Sequence, residues 1–289
     1  MIIITGDSSN DLSKELIEKN DIKILPFNIL MNDKEYLDGV NITSQMIIDN
    51  FNEKGTLPKT SAVSLESFRE FFAKNLKNEE DRIIHFSLSS EMSCSFENAK
   101  KASQEFNGKV AVIDSRSLST GVGLLMFYAC DLNKKGESFE NIVANVEKRI
   151  PYVQASFVIK TLKFLHKGGR CSSLQLLGAY LFNIKPSIEV SNGKMGMSKK
   201  YRGPYIKVVE SYVKDILNKY NNPDLTRCFI TFPTIEDDVL KMVEDTLKEN
   251  ANFKEILITH AGATITSHCG ADTIGILYIN DGGENGPNN

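Results

Sequence analysis

Hydroxyl side chains are the groups in this sequence that could do chemistry, and they gather in three short segments. These segments are residues 60–64, 87–95 and 114–117, and each lies where a strand-like run gives way to a helical pattern. Ser and Thr at such positions often cap helices. Three clusters together also suit an anion, because neutral hydroxyls and backbone N–H groups can donate to its oxygens without burying a further charge. The sequence therefore predicts an anion site at these segments.

Two further stretches carry groups that could contact an anion. His268 is one of four histidines and stands in residues 266–270, a polar stretch with a glycine that we interpret as a turn. Residues 167–170 read Lys-Gly-Gly-Arg, also typical of a turn, and Arg170 is suited to bidentate contact with an oxyanion. A buried histidine and an exposed loop arginine are the alternative interpretations. The spacing of His260, His268 and Cys269 does not favour a metal site, and we expect none.

Several catalytic signatures are missing from the sequence. It has no Gly-x-x-x-x-Gly-Lys-Ser/Thr loop for nucleotide phosphates, no complete dinucleotide fingerprint, no His-Glu-x-x-His zinc helix and no Gly-x-Ser-x-Gly nucleophile elbow. The chain is therefore not expected to be a P-loop kinase acting alone, and no cofactor is predicted.

The first half of the chain alternates strand-like runs with amphipathic segments. Residues 2–5, 22–31, 82–87 and 109–114 read as strands. Three helices are predicted between them. Thr43 can cap a helix that ends at Gly55, and another helix runs from near Ser93 to before Gly108. The third is indicated by the helical spacing of an apolar stripe, Phe68, Phe71, Phe72 and Leu76. This alternation predicts an N-terminal α/β domain with a mainly parallel sheet, residues 1–151.

The order of strand-like and helical segments changes in the second half. Residues 186–191 and 194–201 read as strands joined by Asn192-Gly193, a strong hairpin signal. Helical patterns at 205–220 and 236–250 accompany strands at 227–232, 255–260 and 274–279. We therefore predict a smaller C-terminal α+β domain, residues 152–280. Residues 281–289 lack apolar side chains and are predicted to form a disordered tail.

Composition excludes some classes of protein. The 289 residues are 41% hydrophobic and 25% charged, and a net charge of −3 gives no reason to expect a nucleic-acid partner. The longest apolar run, 122–130, is far short of the roughly 20 residues that cross a bilayer, so stable membrane insertion is not expected. The start does not resemble a signal peptide, and the five cysteines are scattered. We therefore expect a cytoplasmic protein.

Taken in order, these segments resemble the DegV family, which includes the fatty-acid-binding subunits of bacterial fatty acid kinase. The likeness covers nearly the whole chain. Residues 6–9 look like the family's Asp-Ser start, 60–64 its Thr-Ser-Gln-Pro-Ser segment, 88–96 its Leu-Ser-Gly-Thr-Tyr region, 167–170 its Lys-Gly-Gly-Arg turn and 268–270 its His-x-Gly. Ala62, Val63 and Cys94 depart from the pattern, which puts the headgroup geometry in question.

The resemblance implies a long-chain fatty acid held between the domains and presented to an ATP-dependent fatty acid kinase, with catalysis on that partner. By position, Thr60, Ser93 and His268 would hold the carboxylate. The predicted ligand-binding residues are Thr60, Ser61, Ser93, Ser95, His268 and Gly270. Arg170 is expected to serve phosphoryl transfer or docking of the kinase.

Two other functions stay open from the sequence. The chain could be a hydrolase or phosphotransferase acting alone through Ser93 and His268, which turnover by the pure protein would reveal. It could also be a sensor of another hydrophobic anion with no kinase partner, which the identity of the bound ligand would reveal. Chain length, unsaturation, branching and oligomeric state are left undetermined.

Overall fold

A computed structural model of the chain describes residues 1–168 and 184–283. The strands are β1 (Ile2–Asp7), β2 (Lys23–Leu25), β3 (Asn28–Met31), β4 (Lys34–Leu37), β5 (Lys59–Ser61), β6 (Arg82–Ser87), β7 (Val110–Asp114), β8 (Val153–Ile159), β9 (Lys185–Ser191), β10 (Lys194–Tyr201), β11 (Arg227–Phe232), β12 (Glu255–His260) and β13 (Thr273–Ile279). The helices are α1 (Lys14–Lys19), α2 (Ser44–Lys54), α3 (Leu65–Asn75), α4 (Ser95–Ser103), α5 (Thr120–Lys134), α6 (Phe139–Arg149), α7 (Lys163–Gly168), α8 (Tyr205–Lys219), α9 (Asp237–Asn250) and α10 (Ala263–Cys269).

The N-terminal half is built on a four-stranded sheet in the order β2-β1-β6-β7, with every neighbouring pair parallel. Successive side chains of a strand point to opposite faces, so the paired isoleucines Ile4 and Ile84 meet α5 and α6, whereas Ile3 and Ile83 meet α3 and α4. Both faces are thus covered by apolar helices. The predicted α/β class, with a mainly parallel sheet, is confirmed.

Residues 22–31 do not form the single strand that was predicted. Pro26 separates β2, which pairs with β1, from β3, which pairs antiparallel with β4 and β5 in a second sheet of three strands. Proline has no N–H to give to a ladder, so a strand pairing on both sides breaks there. The break places β5, which carries Thr60, in a different sheet from β1.

The helices of this half begin and end as local sequence signals predict. Thr43 accepts a hydrogen bond from the backbone N–H of Met46 at 3.3 Å, and Gly55 ends α2 with a φ of +65°. Ser64 caps α3 in the same way, which favours the capping interpretation for that hydroxyl. On α3, Phe68 and Phe72 are fully buried against the sheet. Residues 93–107 contain α4 and a short 3₁₀ turn before Gly108.

The C-terminal half has a six-stranded mixed sheet in the order β10-β9-β8-β13-β11-β12. Asn192 and Gly193 both have positive φ, +49° and +80°, and join β9 to β10 as the predicted hairpin. Helices α8 and α9 cover one face of the sheet through a buried apolar cluster. The other face, which carries Phe157 and Leu277, packs toward the N-terminal half. The α+β character of this half is confirmed.

Arg149 joins the end of the first half to the end of the described chain. Its guanidinium is 1% exposed and bonds both carboxylate oxygens of Asp281 at 2.8 Å, and Asp224 at 2.6 Å. Asp281 was assigned to a disordered tail, but it is buried in this ion pair and belongs to the folded chain. Residues 284–289 of the predicted tail lie outside the described residues.

Candidate functional site

A cavity of about 300 Å³ lies between the two halves of the molecule. Its walls come from the N-terminal half, including the segments around Thr60 and Ser93, and from β8, β11, β13 and α10 of the C-terminal half. Most of the lining is apolar, with large side chains contributed by Phe27, Leu88, Leu118, Phe157, Met195 and Leu277. A ligand with a long hydrocarbon part fits such walls. The predicted position of the site, between two domains, agrees with this geometry.

Part of the cavity lining is polar. The hydroxyl oxygen of Thr60 on β5 lies 3.0 Å from Nε2 of His268 on α10, and both side chains are half-buried. Ser93 also lines the cavity, together with the exposed residues Ser61 and Cys94. We call this set the polar mouth: Thr60, Ser61, Ser93, Cys94 and His268. Its hydroxyls and imidazole can all donate to an oxyanion.

His268 does not lie in a turn, as the sequence suggested, but near the end of the short helix α10. Gly270 follows the helix with a φ of +77°, and a Cβ added there would lie 2.4 Å from the ring of Phe164. A Cβ added to Gly168 would lie 2.7 Å from Nδ1 of His268. Glycine at 168 and 270 is therefore needed for α7 and α10 to pack closely enough to fix the imidazole.

Ser95 ties two hydroxyl segments together. Its hydroxyl oxygen accepts hydrogen bonds from the backbone N–H of Val63 at 3.1 Å and from the hydroxyl of Ser93 at 3.1 Å. Asn98, one turn later on α4, donates to the carbonyl oxygen of Val63 at 2.8 Å. Segment 60–64 and the start of α4 are thus held side by side, which brings Thr60 and Ser93 to the same mouth.

The structure brings together four of the predicted ligand-binding residues. Thr60, Ser61, Ser93 and His268 line the cavity. Ser95 and Gly270 are buried behind the lining, where the first links segments and the second ends a helix. Lys167 and Gly168 form the end of α7 instead of the start of a turn, and Lys167 donates to the carbonyl oxygen of Gly55 at 3.0 Å. Arg170 lies outside the described residues.

Thr264 is a lining residue that the sequence interpretation missed. It is 4% exposed, and its hydroxyl has no hydrogen-bond partner within the described chain. It stands four positions before His268 on α10, so the two side chains share one face of the helix. Only knowledge that residues 263–269 are helical could have brought this hydroxyl to attention. Thr264 is therefore a further candidate contact for a ligand.

The departures from the family pattern have definite places in the site. Ala62 and Cys94 line the cavity, and Val63 is fully buried with its N–H bonded to Ser95. Cys269 also lines the cavity, where burial raises the pKa of its thiol to about 12. Cys94, in contrast, is an exposed free thiol. The substitution at position 94 thus puts a polarisable side chain beside Ser93.

Two kinds of feature are missing from the described residues. Within residues 1–168 and 184–283, no three His, Cys, Asp or Glu side chains are grouped so as to hold a metal ion. No helix in the same ranges combines the length and the hydrophobicity needed to cross a bilayer.

Comparisons with known proteins agree with this geometry. A family model described as "Uncharacterised protein, DegV family" matches residues 1–281. A DegV domain-containing protein of Clostridium acetobutylicum is 32% identical over 281 residues, covering 96% of this chain and 98% of the relative. A Caldanaerobacter subterraneus relative is 28% identical over 278 residues, covering 96% and 98%.

Solved structures show the same fold. A DegV family protein from Thermus thermophilus, described by its fatty acid binding, is similar with a TM-score of 0.89 at 28% identity, covering 96% of this chain and 99% of that chain. A stearic-acid-binding protein from Eubacterium ventriosum gives a TM-score of 0.84 at 23% identity, covering 97% and 98%. At that identity the second likeness concerns the fold alone.

Proposed function

Because this chain belongs to the DegV family, we propose that it binds one long-chain fatty acid in the cavity between its two halves. The observation that carries the proposal is the cavity itself, which has a mostly apolar lining and a polar mouth with Thr60, Ser93 and His268. A fatty acid has the same division into a long apolar part and one anionic end. The fatty acid binding described for the similar Thermus thermophilus protein supports this assignment.

The acyl chain supplies most of the binding free energy in this proposal. Burial of each methylene group is worth about 0.8 kcal/mol, so a long chain contributes on the order of 10 kcal/mol before the cost of ordering it. The carboxylate contacts contribute less and set the depth at which the ligand sits. Loss of one contact should therefore weaken binding without abolishing it.

The polar mouth can accept a carboxylate by redirecting bonds that it already makes. Ser93 donates to Ser95, and Thr60 is bonded to Nε2 of His268. A hydroxyl can rotate about its C–O bond, so Ser93 and Thr60 can turn their protons toward an incoming carboxylate oxygen. We propose Thr60, Ser93 and His268 as the carboxylate contacts, with Ser61 and Thr264 beside them.

We further propose that the bound carboxylate is presented to an ATP-dependent kinase in the cytoplasm. In that reaction a carboxylate oxygen attacks the γ-phosphorus of ATP, and the products are an acyl phosphate and ADP. Two observations support a separate kinase: Ser61 and Cys94 at the mouth are exposed to a partner, and the sequence lacks a phosphate-binding loop. Arg170 is proposed to offset the charge of the transferring phosphoryl group.

The identity of the bound molecule tests the proposal. Protein purified from bacteria should release one long-chain fatty acid per chain on denaturation, as measured by mass spectrometry. An empty cavity, or a nucleotide in its place, would contradict fatty acid binding. Hydrolysis of an acyl ester or a phosphate by the pure protein would instead favour an enzyme that acts alone.

A variant of Ser93 tests the carboxylate site. A neutral donor to a charged acceptor is worth about 1.5 to 3 kcal/mol, so Ser93→Ala should weaken the binding of a fluorescent fatty acid by about ten- to a hundredfold. Ser103→Ala is the matched control, because Ser103 ends α4, the helix that follows Ser93, and donates to the carbonyl oxygen of Lys100. Equal affinity of the two variants for the fatty acid would show that Ser93 does not contact the carboxylate.

A further inference from the structure

Three aspartates near the start of the chain are buried as one group. Asp7, Asp11 and Asp38 are 0%, 4% and 2% exposed, and we call them the acid trio. Within residues 1–168 and 184–283, no salt bridge joins any of the three to a basic side chain. A buried carboxylate is costly unless hydrogen-bond donors satisfy its oxygens. The donors therefore indicate what the acid trio does.

Two of the three carboxylates hold the beginning of α10. The backbone N–H of Gly262 donates to Oδ1 of Asp11 at 2.7 Å, and the backbone N–H of Ala263 donates to Oδ1 of Asp38 at 2.8 Å. A Cβ added to Gly262 would lie 3.2 Å from Asp38 and 3.3 Å from Asp11. A helix of seven residues has little stability of its own, so these bonds fix where it starts and hence where His268 stands.

The third carboxylate holds the other side of the polar mouth. Oδ2 of Asp7 accepts the backbone N–H of Leu88 at 2.8 Å, at the start of the segment that carries Ser93. Its other oxygen accepts from Ser9, the neighbour of Ser8. Ser8 donates to Oδ2 of Asp38 at 2.9 Å, which links the two sides through adjacent residues.

The three carboxylates also act on one another. Burial raises the pKa of Asp7 to about 6 and that of Asp11 well above its usual range, and the charge of Asp38 adds to both effects. None of the three is among the lining residues of the cavity. Their contact with a ligand is therefore indirect, through the segments that they hold.

We propose that the acid trio positions the polar mouth: Asp11 and Asp38 place the helix of His268, and Asp7 places the segment of Ser93. The three aspartates are positioning residues, and the proposal rests on the proposed fatty acid site. The acid trio thus aligns His268 with the segment of Ser93, although these two groups lie far apart in sequence.

The test measures ligand affinity and the NMR signal of the His268 ring. The chain has four histidines, and the signal that is missing from the spectrum of His268→Gln belongs to His268. Asp38→Ala should weaken fluorescent fatty acid binding by about tenfold and move the ring signal, because the N–H of Ala263 loses its acceptor. Asp38→Asn keeps an acceptor oxygen, so its affinity and its ring signal should both lie close to those of the wild type. Asp7→Ala should weaken binding but leave the ring signal in its place.

Asp81→Ala is the matched control. Asp81 is also buried and accepts the backbone N–H groups of Lys77 and Asn78 at 3.0 and 2.9 Å, but these precede β6 and do not contact the mouth. This variant should lower the melting temperature and leave affinity and the ring signal unchanged. A change in both would mean that any buried aspartate has the same effect, which would overturn the proposal.

Gly262→Ala tests the same relationship with every carboxylate present. The added methyl group must push on Asp11 and Asp38, so the His268 signal should move, whereas Gly196→Ala meets no atom within 4 Å and should move nothing. An unmoved His268 signal in Asp11→Ala, Asp38→Ala and Gly262→Ala would overturn the proposal. If the wild-type protein binds no fatty acid, the proposed function fails, and the ring signal still decides whether the trio positions His268.

Discussion

Thr60 and His268 are 208 positions apart in the chain, and the hydroxyl oxygen of one lies 3.0 Å from Nε2 of the other. Thr60 belongs to the small sheet of the N-terminal half, and His268 belongs to a helix of the C-terminal half. The bond therefore exists only when both halves are in place. The affinity of a ligand that binds both residues therefore depends directly on how the two halves are aligned.

The pair should act as a unit in ligand binding. Thr60→Val and His268→Gln should each weaken fatty acid binding, and the double variant should lose less than the sum, with a coupling of about 0.5 to 3 kcal/mol. Fluorescence titration of the four proteins gives this coupling. Additive losses would mean that the two side chains contact the carboxylate independently.

Arg170 should matter for phosphoryl transfer and not for holding the lipid. Arg170→Ala should keep its fatty acid, measured by mass spectrometry, and lose acyl phosphate formation when kinase and ATP are added, because a nearby guanidinium offsets the repulsion between two anions. Lys163→Ala, which removes an exposed positive charge earlier on α7, is the control. A variant phosphorylated at the normal rate would place the role elsewhere.

Cys94 should be the reactive thiol of the described chain. It is exposed, whereas Cys130, Cys228 and Cys269 are buried, and burial raises the pKa of each of these three thiols. Since the thiolate is the reacting form, iodoacetamide at pH 8 should label Cys94 before these three. Bound fatty acid should slow this labelling because Cys94 lines the cavity. Peptide mapping separates each site, and fast labelling of Cys269 in the folded protein would contradict its burial.

The raised pKa of Asp7 should make stability depend on pH. With a folded-state pKa of about 6 against an ordinary value of 3.8, the folded state binds more protons than the unfolded state between these values. Stability therefore falls as pH rises through this window, by about 3 kcal/mol from this residue. Asp7→Asn removes the contribution, so the free energy of unfolding of the wild type relative to Asp7→Asn should fall between pH 4 and 7.

Asp81→Asn serves as the control, because the contribution of Asp81 to stability should change with pH in the opposite direction. Backbone N–H donors lower the pKa of Asp81, so its contribution is present at neutral pH and is lost as pH falls below its ordinary value. Urea titrations of the three proteins at several pH values measure both effects. Parallel pH profiles for wild type and Asp7→Asn would show that Asp7 keeps an ordinary pKa.

Local signals in the sequence predicted the elements that local interactions determine. Thr43 and Gly55 bound α2, and Asn192 and Gly193 form a hairpin, because caps and tight turns depend on the residues themselves. The strand break at Pro26 follows from a local rule that the apolar run of residues 22–31 concealed. Element type was therefore predictable over most of the chain.

The site was only partly predictable because distant residues build it. Residues 263–269 have no helical periodicity that stands out, and their helix begins at N–H groups held by Asp11 and Asp38, more than 200 positions away. Ser95 was taken for a ligand contact, yet its hydroxyl is bonded to Val63, which no spacing in the sequence reveals. The resemblance supplied Thr60, Ser93 and His268, and tertiary contacts supplied Thr264.

The position of the last strand has a consequence for how the protein is made. In the six-stranded sheet, β13 lies between β8 and β11, and its Gly275 and Leu277 line the cavity. On the ribosome, β8 is synthesised more than 100 residues before this neighbour. The C-terminal sheet cannot close until β13 has left the ribosome, so the cavity proposed for the lipid forms only after this late strand has been synthesised.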